Sequence, residues 1–227
     1  MSVLNAATRE LHCNIAYYGP ALSGKLTNLR YIYDRTNPEA RSRWASTLEP
    51  FPLVAFYFSL LSLPPIDGNK LCFHLSAIPG HVFYDGGRKE LLRNIDGLVF
   101  VADAQMARLE ANLESMENLR AHLAEQGRAP ASLPTVLQYN KVDLPDVVAP
   151  EELDQLLNPT GLQTVRAVAA SGAGVFDTLK AISKLLLVEL RTGGLPPKPL
   201  VLLKAPDDPL RLWALFRSEV VGGSVLA

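Results

Sequence analysis

Cysteine is almost absent from this chain: Cys13 and Cys72 are the only two in 227 residues. They stand far apart in strand-like segments. That excludes a disulfide framework and leaves two buried free thiols in a reducing compartment as the expectation. Long apolar runs are missing too, none reaching the roughly 18 residues that a bilayer crossing needs. The opening "MSVLNAATRELHC" has no basic region followed by an apolar block, so no secretory signal is expected. Ser2 stands where myristoylation needs glycine, and the final "SVLA" offers no cysteine for prenylation. A cytoplasmic protein without a membrane anchor is therefore expected. Charge of one sign is equally scarce. With 22 Lys and Arg against 23 Asp and Glu, the net −1 creates no overall field toward nucleic acid or anionic lipid.

What is present is an alternation of strand and helix patterns. "ELHCNIAYY" (10–18) alternates apolar residues in the manner of a strand. A glycine-bearing turn follows, and then "GKLTNLRYIYDRT" places Leu26, Leu29, Ile32 and Tyr33 at helical spacing. Runs at 53–63 and 70–78 flank Asp67-Gly68, a turn pair, and so predict a hairpin. Further strands are predicted at 96–103, 133–140 and 162–170. Helices are predicted at 105–126, 150–157 and 174–191. This order implies an α/β fold: a six-stranded, mostly parallel sheet with one antiparallel strand, flanked by helices. A Pro and Gly cluster at 191–199 divides an expected domain, 1–193, from a C-terminal extension, 194–227. In that extension "LVLLK" suits an edge strand and 207–220 a short amphipathic helix. The extension packs on its own domain or binds a partner, and both readings stay open.

Ligands of such sheets bind beyond the C-terminal strand ends, and the chemistry-bearing motifs fall there. After the first strand, "GPALSGK" matches G-x-x-x-x-G-K through Gly19, Gly24 and Lys25. In this motif the loop amides, through Leu22, Ser23, Gly24, Lys25, Leu26 and Thr27, cradle phosphate, and the lysine reaches the β- and γ-phosphates. The next position should carry a hydroxyl for Mg²⁺ but is Leu26. Thr27 is one residue on, about 100° around the helix. After the fifth strand stands "NKVD", Asn140 to Asp143. A carboxylate at Asp143 can accept two hydrogen bonds from guanine N1–H and N2–H₂, which adenine cannot give. In guanine-nucleotide proteins that carry this motif the asparagine braces the phosphate loop and the lysine stem lies on the base, so the resemblance implies those roles for Asn140 and Lys141, with the backbone at Ala170 and Ser171 meeting the guanine O6. A bound GTP or GDP is the expected cofactor. The histidines His12, His74 and His122 show no metal-ligand spacing, and no metal-binding residue is expected.

These motifs make the chain similar to the Ras-like small GTPases and, within them, to the bacterial gliding-motility MglA family. The stretches "YYGPALSGKLTNLRYIYD", "IPGHVFYDGGRKELLRNIDGLVFVADAQ", "YNKVDLP" and "AVAASGAGVFDTLKAISKL" carry the likeness, over about residues 8–190. The resemblance implies a Ras-like G domain acting as a polarity or motility switch, with a Roadblock-family (MglB-like) protein as partner. It also locates departures. The family carries Thr or Ser at Leu26, and an R-T-L-F-F-D pattern where this chain has Pro52, Leu53 and Tyr57. Ala77 takes the aspartate position of the D-x-x-G motif of Ras-like proteins, whose glycine, Gly80, would approach the γ-phosphate. His81 follows in the place of the water-orienting glutamine. Three readings remain open: a nucleotide-binding switch with little or no hydrolysis; a competent GTPase using His81 as its catalytic group plus a residue supplied by a partner; or a nucleotide-free scaffold. Arg41, Arg43 and Arg88 are candidate cations for the site. A homodimer is open, and the downstream effector is not indicated.

Overall fold

Burial on both faces places the first long strand at the centre. In β2 (Glu10–Tyr18) both the odd and the even residues are buried, which requires a layer on each side of the sheet. The computed structural model describes residues 2–5, 8–47, 53–59, 65–77, 85–129, 132–193 and 198–200. On one side β2 pairs parallel with β5 (Lys70–Ala77), which pairs antiparallel with β4 (Leu53–Ser59) and, beyond it, β3 (Ala45–Thr47). On the other side come β6 (Gly97–Asp103), β7 (Thr135–Asn140) and β8 (Gln163–Ala167), all parallel. The order is thus β3-β4-β5-β2-β6-β7-β8.

The odd residues of β2, Leu11, Cys13, Ile15 and Tyr17, pack against α1 (Lys25–Arg35) and α5 (Val175–Thr192) through Leu29, Ile32, Ile182 and Leu186. On the opposite face Ala16, Tyr18, Leu98 and Phe100 meet α2 (Asp85–Arg93), α3 (Leu109–Glu125) and α4 (Pro150–Leu157). Leu92, Leu119 and Leu153 are the inward residues of those helices. The six predicted strands and their order along the chain are all present.

Differences from the expected pattern have local causes. The Asp67-Gly68 turn has φ of 49° and 78°, with Ile66 and Asn69 exchanging both backbone hydrogen bonds. That is the two-residue hairpin turn matching strand twist. The strand predicted over 162–170 ends at Ala167, because Ser171 and Gly172 donate back to the Val168 carbonyl and turn the chain. The helix predicted from 105 starts with a 3₁₀ turn, Met106–Arg108, and becomes α3 at Leu109. Two short strands were not anticipated by periodicity: β3 and β1 (Val3–Asn5), each too brief to alternate visibly. β1 joins β2 antiparallel and also pairs with β9 (Lys198–Leu200), which lies past residue 193. Most of "LVLLK" and all of 207–220 lie outside the described residues. The two cysteines are free and buried. They occupy neighbouring strands but opposite faces, since His12 lies beside Cys72 and Cys13 beside Phe73.

Candidate nucleotide site

The C-terminal ends of β2, β6 and β7 and the start of α1 converge on one loop. Residues 19–24 leave β2 and enter α1 at Lys25. Two positions in that loop admit only glycine. A Cβ on Gly19 (φ 139°) would stand 2.3 Å from the Val101 carbonyl oxygen, and one on Gly24 (φ 101°) would stand 2.1 Å from Asn140 Nδ2. The close approach seats the loop against β6 and β7 immediately before the helix N-terminus.

Asn140 is the organiser. It is buried at the end of β7, its Nδ2 donates to the Ser23 carbonyl at 2.8 Å, and its Oδ1 accepts from Ala169 N at 2.9 Å. One side chain therefore ties the phosphate loop to the turn that carries Ala170 and Ser171. Arg108 adds a second brace, donating from Nη2 to the Ala21 carbonyl at 2.8 Å. A third brace lies beneath. Asn28 and Gln138 exchange amide hydrogen bonds at 2.8 and 2.9 Å, and Gln138 also donates to Thr178 Oγ1 at 2.8 Å, so α1, β7 and α5 are locked together. Arg108 and this buried network were not recognised from the sequence. Nothing in linear spacing marks them, because each partner comes from a different element.

Lys25 is buried, and its ammonium donates to the Gly19 carbonyl at 2.9 Å and the Pro20 carbonyl at 2.6 Å. Burial pushes its pKa down to about 7, and the nearby positive charge of Arg88 adds to the shift. A polyanion would reverse both effects. Of the three arginines considered as cations, only Arg88 is felt at Lys25. Arg41 lies over the Tyr33 ring at 3.8 Å, and Arg43 is exposed. Ser23 Oγ is buried without a hydrogen-bond partner among the described residues. Leu22, at φ 63°, is 78% exposed at the rim.

Asp143 is exposed and faces a cavity of about 180 Å³ that Gly24, Thr27, Asn140, Lys141 and Ala170 also line. Lys141 takes φ 67° and pairs its ammonium with Asp103 Oδ2 at 2.5 Å. Asp103 is itself buried, so it holds the lysine stem along one wall of the cavity. Beside it a groove of about 710 Å³ runs between α1 and β3, bordered by Leu26, Arg30, Tyr31, Trp44 and Ser171. Gly19, Leu22, Ser23, Gly24, Lys25, Leu26, Thr27, Asn140, Lys141, Asp143, Ala170 and Ser171 are thus gathered at one end of the sheet. Pro52, Gly80 and His81 lie outside the described residues.

The residues at the position expected to hold Mg²⁺ can be followed one by one among the described residues. Leu26 packs against the core beneath α1. Thr27 lines the base-side cavity with Asp143. Leu53 and Ala77 are buried apolar residues at strand ends. Hard divalent cations need oxygen ligands, and the side chains of Leu26, Leu53 and Ala77 carry no oxygen.

Over 195 residues the chain is 51% identical to the mutual gliding-motility protein MglA of Myxococcus xanthus (strain DK1622), covering 86% of this chain and all of that protein. The chain belongs to the MglA family of Ras-like small GTPases. Its fold is accordingly a Ras-like G domain, and membership of that family implies binding of guanine nucleotide. A weaker likeness, 29% over 119 residues, links it to elongation factor 4 of Gloeobacter violaceus, spanning 51% of this chain but only 18% of that protein. No protein-family model matches the chain. No helix among the described residues is long and apolar enough to cross a membrane.

Proposed function

We propose that this MglA-family member is a guanine-nucleotide switch that holds GTP or GDP with little help from Mg²⁺ and hydrolyses GTP slowly or not at all. It acts in the cytoplasm, in a polarity or motility system, through a Roadblock-family (MglB-like) partner. Residues 1–193 form its G domain and 194–227 an extension. One observation carries the reading: Leu26 sits in the metal position of a loop that Asn140 otherwise holds in full. Gly19, Gly24 and Lys25 would hold the phosphates, with Ser23, Leu22 and Thr27 contributing the surrounding loop. Asn140, Lys141, Asp143, Ala170 and Ser171 would read the base. The retained base-reading carboxylate argues against a scaffold that binds no nucleotide. An arginine finger is worth about 10³–10⁵ in rate where one is present, and Pro52 and Leu53 leave none in that stretch.

Nucleotide content decides it. Protein purified, washed with or without EDTA and then denatured should release guanine nucleotide in both cases on chromatography. No guanine nucleotide, together with no thermal stabilisation by added GTP or GDP, would sink the reading. Sustained multiple-turnover hydrolysis with the cognate Roadblock protein would instead favour a competent GTPase using His81. Restoring the hydroxyl gives a sharper contrast. Leu26→Thr should make GDP affinity at least about tenfold tighter in Mg²⁺ than in EDTA, about 1.4 kcal/mol. The parent protein should change by less than about twofold under the same titration.

A further inference from the structure

A second set of chemistry-bearing side chains lies at the other end of the sheet, where β2 and β5 begin. Glu10 and His12 are two apart on β2 and so share a face, and His12 stands beside Cys72 of β5 in the parallel register. A carboxylate oxygen of Glu10, a ring nitrogen of His12 and Cys72 Sγ all lie within 4.8 Å of one another. Linear spacing hides this cluster, because the strand pairing assembles it from residues sixty apart.

The histidine geometry points to a ligand. His12 is 1% exposed, and its Nε2 makes no hydrogen bond, the Glu10 carboxylate being 3.5 Å away. Its other nitrogen, Nδ1, meets His74 Nε2 at 2.8 Å. Two ring nitrogens at that distance share one proton. In the tautomer whose Nδ1–H donates to His74 Nε2, the Nε2 of His12 offers a lone pair beside the carboxylate and the thiol. A ligating imidazole whose outer N–H is held by a neighbouring side chain has this arrangement. Cys72 Sγ also touches Ser59 Oγ at 3.2 Å. Glu10 is only partly covered and leaves an entry path.

We propose that Glu10, His12 and Cys72 bind a divalent transition-metal ion, with His74 as the residue that positions the His12 ring. One oxygen, one nitrogen and one sulfur donor suit zinc, and three protein ligands leave a fourth position for water. Binding forms the metal–sulfur bond as the Cys72 thiol proton leaves to solvent.

The test uses the full chain, stripped with a chelator and titrated with Zn²⁺ alone against a chromophoric competitor, followed by Co²⁺ substitution. One Zn²⁺ should bind per chain, and the Co²⁺ form should show a thiolate-to-metal charge-transfer band. Cys72→Ser should abolish that band, Glu10→Gln should weaken Zn²⁺ binding at least about tenfold, and His74→Phe should weaken it about 10–100-fold. Cys13→Ala, on the opposite face, should leave binding intact. Glu10→Gln is conservative and partly exposed, so it keeps the test valid if Cys72→Ser does not fold. Absence of stoichiometric Zn²⁺ binding, a Co²⁺ spectrum without the thiolate band, or unchanged affinity in Glu10→Gln would overturn the proposal.

Discussion

Asn140→Ala is expected to destabilise the nucleotide-free protein by about 3–5 kcal/mol and to weaken guanine-nucleotide binding about 100-fold or more. The first number follows from what the truncation leaves behind. The Ser23 carbonyl and the Ala169 amide each lose their Asn140 partner, and an unsatisfied buried backbone group costs about 1–3 kcal/mol. The cavity adds to that. The second follows because the same bonds fix the loop and the 168–174 turn relative to each other, so the nucleotide would have to order both on arrival. Urea unfolding of the stripped variant reads the stability, and fluorescent-GDP titration reads the affinity. A change under about 1 kcal/mol would show that the brace is not what holds the loop. Asn140→Asp should do no better, since its carboxylate keeps the acceptor role but cannot donate to the Ser23 carbonyl.

Lys25→Met should produce opposite signs in the two states. In the empty site the ammonium is buried, and its pKa stands at about 7 rather than 10.5. At pH 7 such a shift corresponds to a native state disfavoured by about 4 kcal/mol relative to an unperturbed lysine. Methionine of similar length removes that penalty, so the stripped variant should melt higher than the parent. It should also lose most of the stabilisation that GTP or GDP confers, because a charge-assisted contact to phosphate goes with the ammonium. Thermal melts with and without nucleotide check both. A variant that gains on GTP addition as much as the parent does would remove Lys25 from the phosphate site.

The same residue sets the pH behaviour. The folded pKa lies below the unfolded one, so between about pH 7 and 10.5 the unfolded chain binds more protons. The penalty is complete below pH 7 and fades as pH climbs through that window, so lysine-linked stability of the stripped protein rises with pH there. Nucleotide binding restores the charged form and takes up a proton. Affinity should therefore fall above pH 7, by up to about tenfold per unit. Calorimetry in buffers of different ionisation enthalpy should report that uptake, and Lys25→Met should abolish it.

The parts of the structure legible in the sequence were those written locally. The alternation of "ELHCNIAYY", the glycines around Lys25 and the Asp67-Gly68 turn each specify their conformation from neighbouring residues. They were enough to order six strands and to bring Gly24 near Asn140. Strand ends were less legible. Ala167 ends β8 because of backbone bonds made by residues four and five positions later, and β3 exists only as an edge partner of β4. Lys141 shows the same limit at the site. Its ammonium is fixed by Asp103, a partner 38 positions away that no motif connects to it. The Glu10–His12–Cys72 cluster went unseen for a related reason: metal-ligand spacing is a property of one chain segment, whereas parallel pairing makes neighbours of positions 12 and 72.

Trp44 gives the protein an optical property that follows from its place. Its indole borders the groove beside Leu26, lies 4.1 Å beneath the Arg30 guanidinium and stacks on Phe56 at 5.8 Å. A cation held over an indole is attracted to its ring electrons, and a nucleotide phosphate would compete for that cation. Emission from Trp44 should then change as the site fills, without any attached dye. The chain has only one other tryptophan, Trp213, so a Trp213→Phe protein would carry a single intrinsic reporter on the rim of the groove that Leu26 and Thr27 also border.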